Sequence, residues 1–141
     1  MADVNGPQHL AQLLNRVNRR LRLDAVPPAG FTELSVAQVR VLDVIPAGGC
    51  RIVDLSGELR VSSQGLGQLV KHLEREGYVE LAAAPDDRRA KLIRRTGAGD
   101  AVVEQVSALL DGVEQAWRAE VGAERFDVFR EVLGELAAKL P

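Results

Sequence analysis

Positive charge in this sequence is concentrated in one short stretch. Arg88, Arg89, Lys91, Arg94 and Arg95 place five cations within eight residues, with no acid among them. Such a density suits phosphate binding. Upstream lies a polar series, Ser62, Ser63, Gln64, Gln68, Lys71 and His72. Glutamine amides can pair with adenine edges, and a lysine ammonium can hold a phosphate. Taken alone, a charge run is usually a solvated face, and surface glutamines are common. The placement of these residues on elements of structure therefore decides between the two readings.

No catalytic constellation competes with them. The chain has no glycine-rich phosphate loop, no Gly-x-Ser-x-Gly elbow and no His-Glu-x-x-His, and Asp86-Asp87 reads as a turn rather than an acid/base pair. The expectation is a protein that is not an enzyme. His9 and His72 stand far apart without ligand-spaced partners, so neither a metal site nor a cofactor is expected. Cys50 is the only cysteine and cannot form an internal disulfide, in keeping with a reducing compartment. After Gly48-Gly49 it reads as a small loop residue rather than an oxidant sensor, because nothing nearby marks a lowered pKa.

The elements that must carry these residues can be read from periodicity. Leu10, Leu13, Leu14, Val17 and Leu21 have helical spacing, ended by Pro27-Pro28 and Gly30. Ser35 with Gln38 forms a capping box that opens a second helix bearing Val36, Val39 and Leu42, closed by Pro46 and Gly48-Gly49. A short third helix is expected over Ile52 to Leu59. Ser62 or Ser63 then caps a fourth, whose Leu66, Leu69, Val70 and Leu73 keep i, i+3, i+4, i+7 spacing up to Gly77. Gly65 and Gly67 fit its interior poorly, at about 1 kcal/mol each against Ala. Tyr78–Leu81 and Lys91–Arg94 read as two strands about a turn at Ala84–Asp87. Thr96 caps a long helix carrying Val102, Val106, Leu109, Leu110, Val113 and Trp117, with Asp100 in the first turn suiting the helix dipole. A last helix carries Phe126, Phe129, Leu133, Leu136 and Leu140.

The 141 residues suit one domain, 1–141. The formal net charge of -2 conceals an uneven distribution. Residues 51–96 carry nine Lys or Arg against seven acids, whereas residues 97–141 carry four against nine. The acidic last segment is expected to lie away from an anionic partner. No apolar run is long enough to span a membrane, and Met1–Leu10 lacks the layout of a signal peptide, so a cytoplasmic protein is expected.

Helix, short helix, capped helix and charged hairpin in this order make a mainly α winged helix-turn-helix with a short β-hairpin wing. The segment from Leu34 sharpens this reading. Ser62-Ser63-Gln64, then Leu69-Val70-Lys71-His72-Leu73-Glu74-Arg75-Glu76-Gly77-Tyr78-Val79, Pro85-Asp86-Asp87-Arg88-Arg89-Ala90-Lys91-Leu92-Ile93 and Thr96-Gly97-Ala98-Gly99 closely resemble the MarR family of regulators.

The resemblance implies a homodimer on a pseudo-palindromic operator in double-stranded DNA. Residues 1–30 and 97–141 would supply the dimerisation helices, and 31–96 the winged helix-turn-helix. It implies DNA contacts at Ser62, Ser63, Gln64, Gln68, Lys71 and His72 in the recognition helix and at Asp87, Arg88, Arg89 and Lys91 in the wing. Arg89 would enter the minor groove, oriented by a charge-assisted hydrogen bond from its guanidinium to Asp87. Repression, with release by a small apolar or phenolic ligand, is the usual mode in the family. Trp117 would be core or dimer packing, or would line a ligand pocket.

The sequence departs from the family pattern at Ala84, at Arg95 where Leu is common before the threonine, at the acidic and apolar strand after Val79, and at Gly65 and Gly67. These departures motivate the alternative of a dimeric protein-interaction module that has lost operator binding.

Overall fold

The computed structural model describes residues 9–140. Two compact units make up the described residues: 29–107, and 9–28 together with 108–140.

The first unit begins with α2 (Val36–Val44), which follows α1 (Leu10–Asp24) of the other unit. Its start is the expected capping box. Ser35 Oγ accepts from the Gln38 amide at 3.2 Å, and Gln38 Oε1 accepts from the Ser35 amide at 2.8 Å, so two orphan donors are satisfied reciprocally. Then come β1 (Cys50–Arg51), α3 (Ile52–Leu59), α4 (Ser63–Arg75), β2 (Val79–Ala83), β3 (Lys91–Arg95) and the start of α5 (Gly97–Val121). Val41 and Leu42 of α2, Leu55 and Leu59 of α3, Leu66, Val70 and Leu73 of α4, and Val102 of α5 meet Ile45, Val79 and Ile93 in one buried cluster. Each fully buried Leu or Ile contributes about 1.5–3 kcal/mol of transfer free energy, so this cluster is what holds α4 against the sheet.

The sheet is three-stranded and antiparallel, in the order β1-β3-β2, where the sequence suggested a two-stranded hairpin. Cys50 pairs with Ile93 and Arg51 with Leu92, so Cys50 lies in a strand and not in a loop. On the other side the ladder runs from Val79↔Arg95 to Ala83↔Lys91, which makes β2 two residues longer at its far end than expected. Two residues of β1 carry no periodicity that a sequence could display. The backbone after α4 reverses through Gly77, whose φ of 82° suits a residue without Cβ. Gly99 fills a tighter role: a Cβ there would collide with the Tyr78 carbonyl, so only glycine lets α5 start against the exit of α4.

In the second unit, α1, the later turns of α5 and α6 (Ala123–Ala137) bury little. Val113 and Phe126 are its buried apolar residues, and α1 has none. Leu10, Leu13, Leu14 and Val17 of α1, and Val128, Phe129, Val132, Leu133 and Leu136 of α6, are exposed.

Candidate nucleic-acid interface

Ser62 is the N-cap of α4, and its hydroxyl accepts from the Gly65 amide at 3.1 Å. A Cβ on Gly65 would lie 3.2 Å from that oxygen, so the glycine keeps the cap close. Gly67 meets nothing within 4 Å where its Cβ would stand, and it leaves the helix surface low at that point. With Leu66, Val70 and Leu73 buried, the opposite side of the helix presents Gln64, Gln68 and Lys71 at i, i+4, i+7, all exposed. Ser62 and Ser63 are exposed at the N-terminal end of α4. His72 is half-buried on the flank of the stripe, with Nδ1 3.2 Å from Arg75 Nη2.

The wing separates the basic run into two groups. Arg88, Arg89 and Lys91, at and beside the tip, are exposed and form no ion pair among the described residues. Arg94 points to solvent but pairs with Glu80 directly across the ladder at 3.1 Å. Arg95 turns inward. Its Nη1 donates to the carbonyls of Leu42 at 3.0 Å and Ile45 at 2.7 Å, and its Nε to Asp100 at 2.8 Å. Three cations of the five are thus left at the tip. Asp100, expected to serve the helix dipole alone, is also the partner of Arg95.

The tip is built by short polar contacts. Asp87 Oδ1 accepts the backbone N–H of Arg89 at 2.9 Å, an Asx turn that fixes the backbone. The expected bond to the Arg89 guanidinium is replaced by this one, and the exposed Arg89 side chain has no hydrogen-bond or ion-pair partner among the described residues. Asp86 is held by Arg51 at 3.0 Å, which ties the turn to β1. Both aspartates are therefore turn and bridge residues, in accord with the turn reading. Sequence reasoning passed over Arg60, at the turn between α3 and α4. It is exposed, unpaired among the described residues, and left-handed at φ 53°, the only non-glycine residue there with positive φ. Its signal was its position two residues before the helix cap.

Other candidates yield less chemistry. Burial raises the Cys50 thiol above its ordinary pKa, with Asp54 and Glu58 adding to the effect, the opposite of what activates a thiolate. No three metal-ligating side chains cluster among the described residues. No helix among them is long and apolar enough to cross a membrane. In the helical unit, Trp117 Nε1 donates to Asp24 at 2.7 Å, and the Arg20 guanidinium lies 5.1 Å from its ring centroid. Trp117 also lines a cavity of about 300 Å³ with Val17, Arg125, Phe126 and Phe129.

A capped helix with an exposed polar stripe, followed by a wing bearing unpaired cations, defines a winged helix-turn-helix DNA-binding protein of the transcription-regulator class. Residues 32–90 match the model of the MarR family. The multiple antibiotic resistance protein MarR of Escherichia coli is 30% identical over 102 residues, covering 72% of this chain and 69% of that protein. An HTH-type transcriptional regulator of Bacillus subtilis, YwhA, is 29% identical over 94 residues, or 64% of this chain and 65% of its own length, a little under two thirds. The solved reduced form of E. coli MarR superposes with a TM-score of 0.76 at 25% identity, over 97% of this chain and 100% of that one. The chain belongs to the MarR family of transcriptional regulators.

Proposed function

We propose that this protein is a sequence-specific repressor that binds a pseudo-palindromic operator as a homodimer. The observation that carries the reading is the division of the basic run: the cations that the fold does not use are those at the wing tip, Arg88, Arg89 and Lys91. A guanidinium extended from a fixed backbone turn suits a narrow minor groove, where the negative potential is enhanced. Gln64 and Gln68 are then the candidate base readers, with Lys71, Ser62 and Ser63 holding phosphates and His72 supporting from the flank. Arg60 joins the phosphate contacts.

The exposed apolar residues of α1 and α6 support the dimer. A solvated chain does not favour so many exposed Leu, Val and Phe side chains on two helices, and a second copy would cover them. Two such copies present two recognition helices, whence a palindrome with half-sites about one helical turn apart. Release by a small apolar or phenolic ligand belongs to the same reading, with the Trp117 cavity as candidate site. Such a ligand must prefer the conformation that does not fit the operator, because equal affinity for both shifts nothing.

The test is selection of duplexes from a random-sequence pool by the purified protein, followed by footprinting and sedimentation. A palindromic consensus bound by a dimer is expected. Failure to enrich any sequence, or a monomer at micromolar concentration, would overturn the reading.

A further inference from the structure

We propose that Arg95 is a positioning residue that sets the stance of the wing against the recognition helix, an inference that rests on the DNA-binding reading above. Its guanidinium is largely covered, with only 15% of the side chain exposed. A cation so placed must be matched, and two elements match it. The carbonyls of Leu42 and Ile45 lie at the C-terminal end of α2, where the dipole is negative; the Leu42 carbonyl also accepts the Ile45 amide at 3.3 Å. Asp100 sits in the first turn of α5. Arg95 itself is the last residue of β3, at the root of the wing. One planar fork therefore fastens wing, α2 and α5 together, a task for which a lysine head has too few fixed donors.

The neighbouring residues fasten the same root to the end of the recognition helix. Thr96 Oγ1 donates to the Gly77 carbonyl at 2.6 Å, and the Thr96 amide donates to the Tyr78 carbonyl at 3.1 Å. Gly99 is packed against that same carbonyl. Arg95 and Thr96 thus fix the angle between β3 and the exit of α4 from two sides. Leverage makes the angle matter. Lys91 lies four steps from Arg95, at about 3.3 Å a step, so a tilt of roughly 10° at the root moves the tip by about 2 Å. That displacement exceeds what a hydrogen bond tolerates.

The experiment is a double-mutant cycle on the full chain, with a duplex that the parent protein selects from a random pool. Arg95→Leu, Arg95→Lys and Asp100→Ala are each combined with Arg89→Ala, and affinity is read by fluorescence anisotropy well below each melting temperature. Arg95→Leu is expected to weaken binding about tenfold, with Arg95→Lys in between. Arg89→Ala is expected to cost distinctly less in the Arg95→Leu background than in the parent, because a displaced wing has little left to lose. A merely structural Arg95 lowers the melting temperature and leaves the Arg89→Ala penalty unchanged. Additive effects, or parent-level binding by Arg95→Leu, would overturn the positioning role while leaving DNA binding intact. A parent that selects no duplex overturns both. If Arg95→Leu does not fold, Asp100→Ala carries the cycle, since it removes the acceptor at α5 and leaves the bonds to Leu42 and Ile45, and additivity there would equally reject the proposal.

Discussion

Arg20, Arg118 and Arg130 of the helical unit and the arginines of the wing tip face the same solvent but are treated in opposite ways; Arg19, Arg22 and Arg125 of the helical unit form no ion pair among the described residues. In the helical unit Arg20 reaches Glu120 through both terminal nitrogens and Asp24 through Nε, Arg118 holds Asp127 with two bonds of 2.9 Å, and Arg130 lies 3.2 Å from Glu114. These pairs hold Glu120 and Asp127 below the ordinary carboxylate range, chiefly through the arginine hydrogen bonds, and push Arg20 and Arg118 up. At the wing tip the two available carboxylates are committed elsewhere, Asp86 to Arg51 and Asp87 to a backbone amide. Exposed pairs contribute little each. Their distribution still shows that the wing-tip charge, unlike that of Arg20, Arg118 and Arg130, is left out of the fold's own ion pairs.

The largest effect that could break this comparison is expected at Arg89. Arg89→Ala should cost about 1–3 kcal/mol per half-site and weaken discrimination for A/T-rich flanks, with the melting temperature unchanged. Operator affinity equal to the parent's would remove the wing from the interface. Asp87→Ala should lose part of the same affinity, now because the Asx turn that aims the tip is gone. Lys71→Ala should weaken all sequences alike and reduce the slope of log affinity against log salt by about one, measured by titration at several salt concentrations; an unchanged slope would take Lys71 off the phosphates.

Gly67→Ala sharpens the contrast inside a single helix. With open space at its Cβ, the change should raise stability by up to about 1 kcal/mol in thermal melts. A simultaneous loss of operator affinity would show that the glycine is kept for close backbone approach, and no gain in stability would refute the propensity argument.

The smallest effect concerns acid. Glu120 and Asp127 have depressed folded-state pKa values, so their stabilisation is present above the unfolded carboxylate pKa and is lost as pH falls through the folded values. The window opens near pH 4. Fluorescence of Trp117, the only tryptophan, should follow it. Arg20→Gln should move the acid transition to higher pH and leave the salt slope of DNA binding alone. An unmoved acid transition would deny the pair its role.

Much of this was legible because it rests on local chemistry. The Ser35 and Ser62 caps, the buried spacing of α4 and the turn at Gly77 are short-range patterns, and each lies where its residues direct. The wing turn was legible for the same reason, since an Asp two residues before an amide favours an Asx turn. The third strand was not, because β1 exists only through pairing with distant Ile93 and Leu92. The run of five cations misled in a specific way. Charge density gives no direction, whereas strand alternation does. Arg95 lies two residues from buried Ile93 and so shares its face, a signal that the basic run concealed.

The strand order carries one further consequence. β2 pairs only with β3, and its outer rim of amides and carbonyls is unpaired within the sheet. Such an edge invites another chain to add itself and start a fibre. Here the edge is only five residues long. It carries Glu80, and Pro85 follows it just before the tip. A negative charge and a missing amide donor both discourage edge-to-edge pairing. The acid and the alanines after Val79 therefore leave a short, charged rim that resists pairing with the edge of another copy.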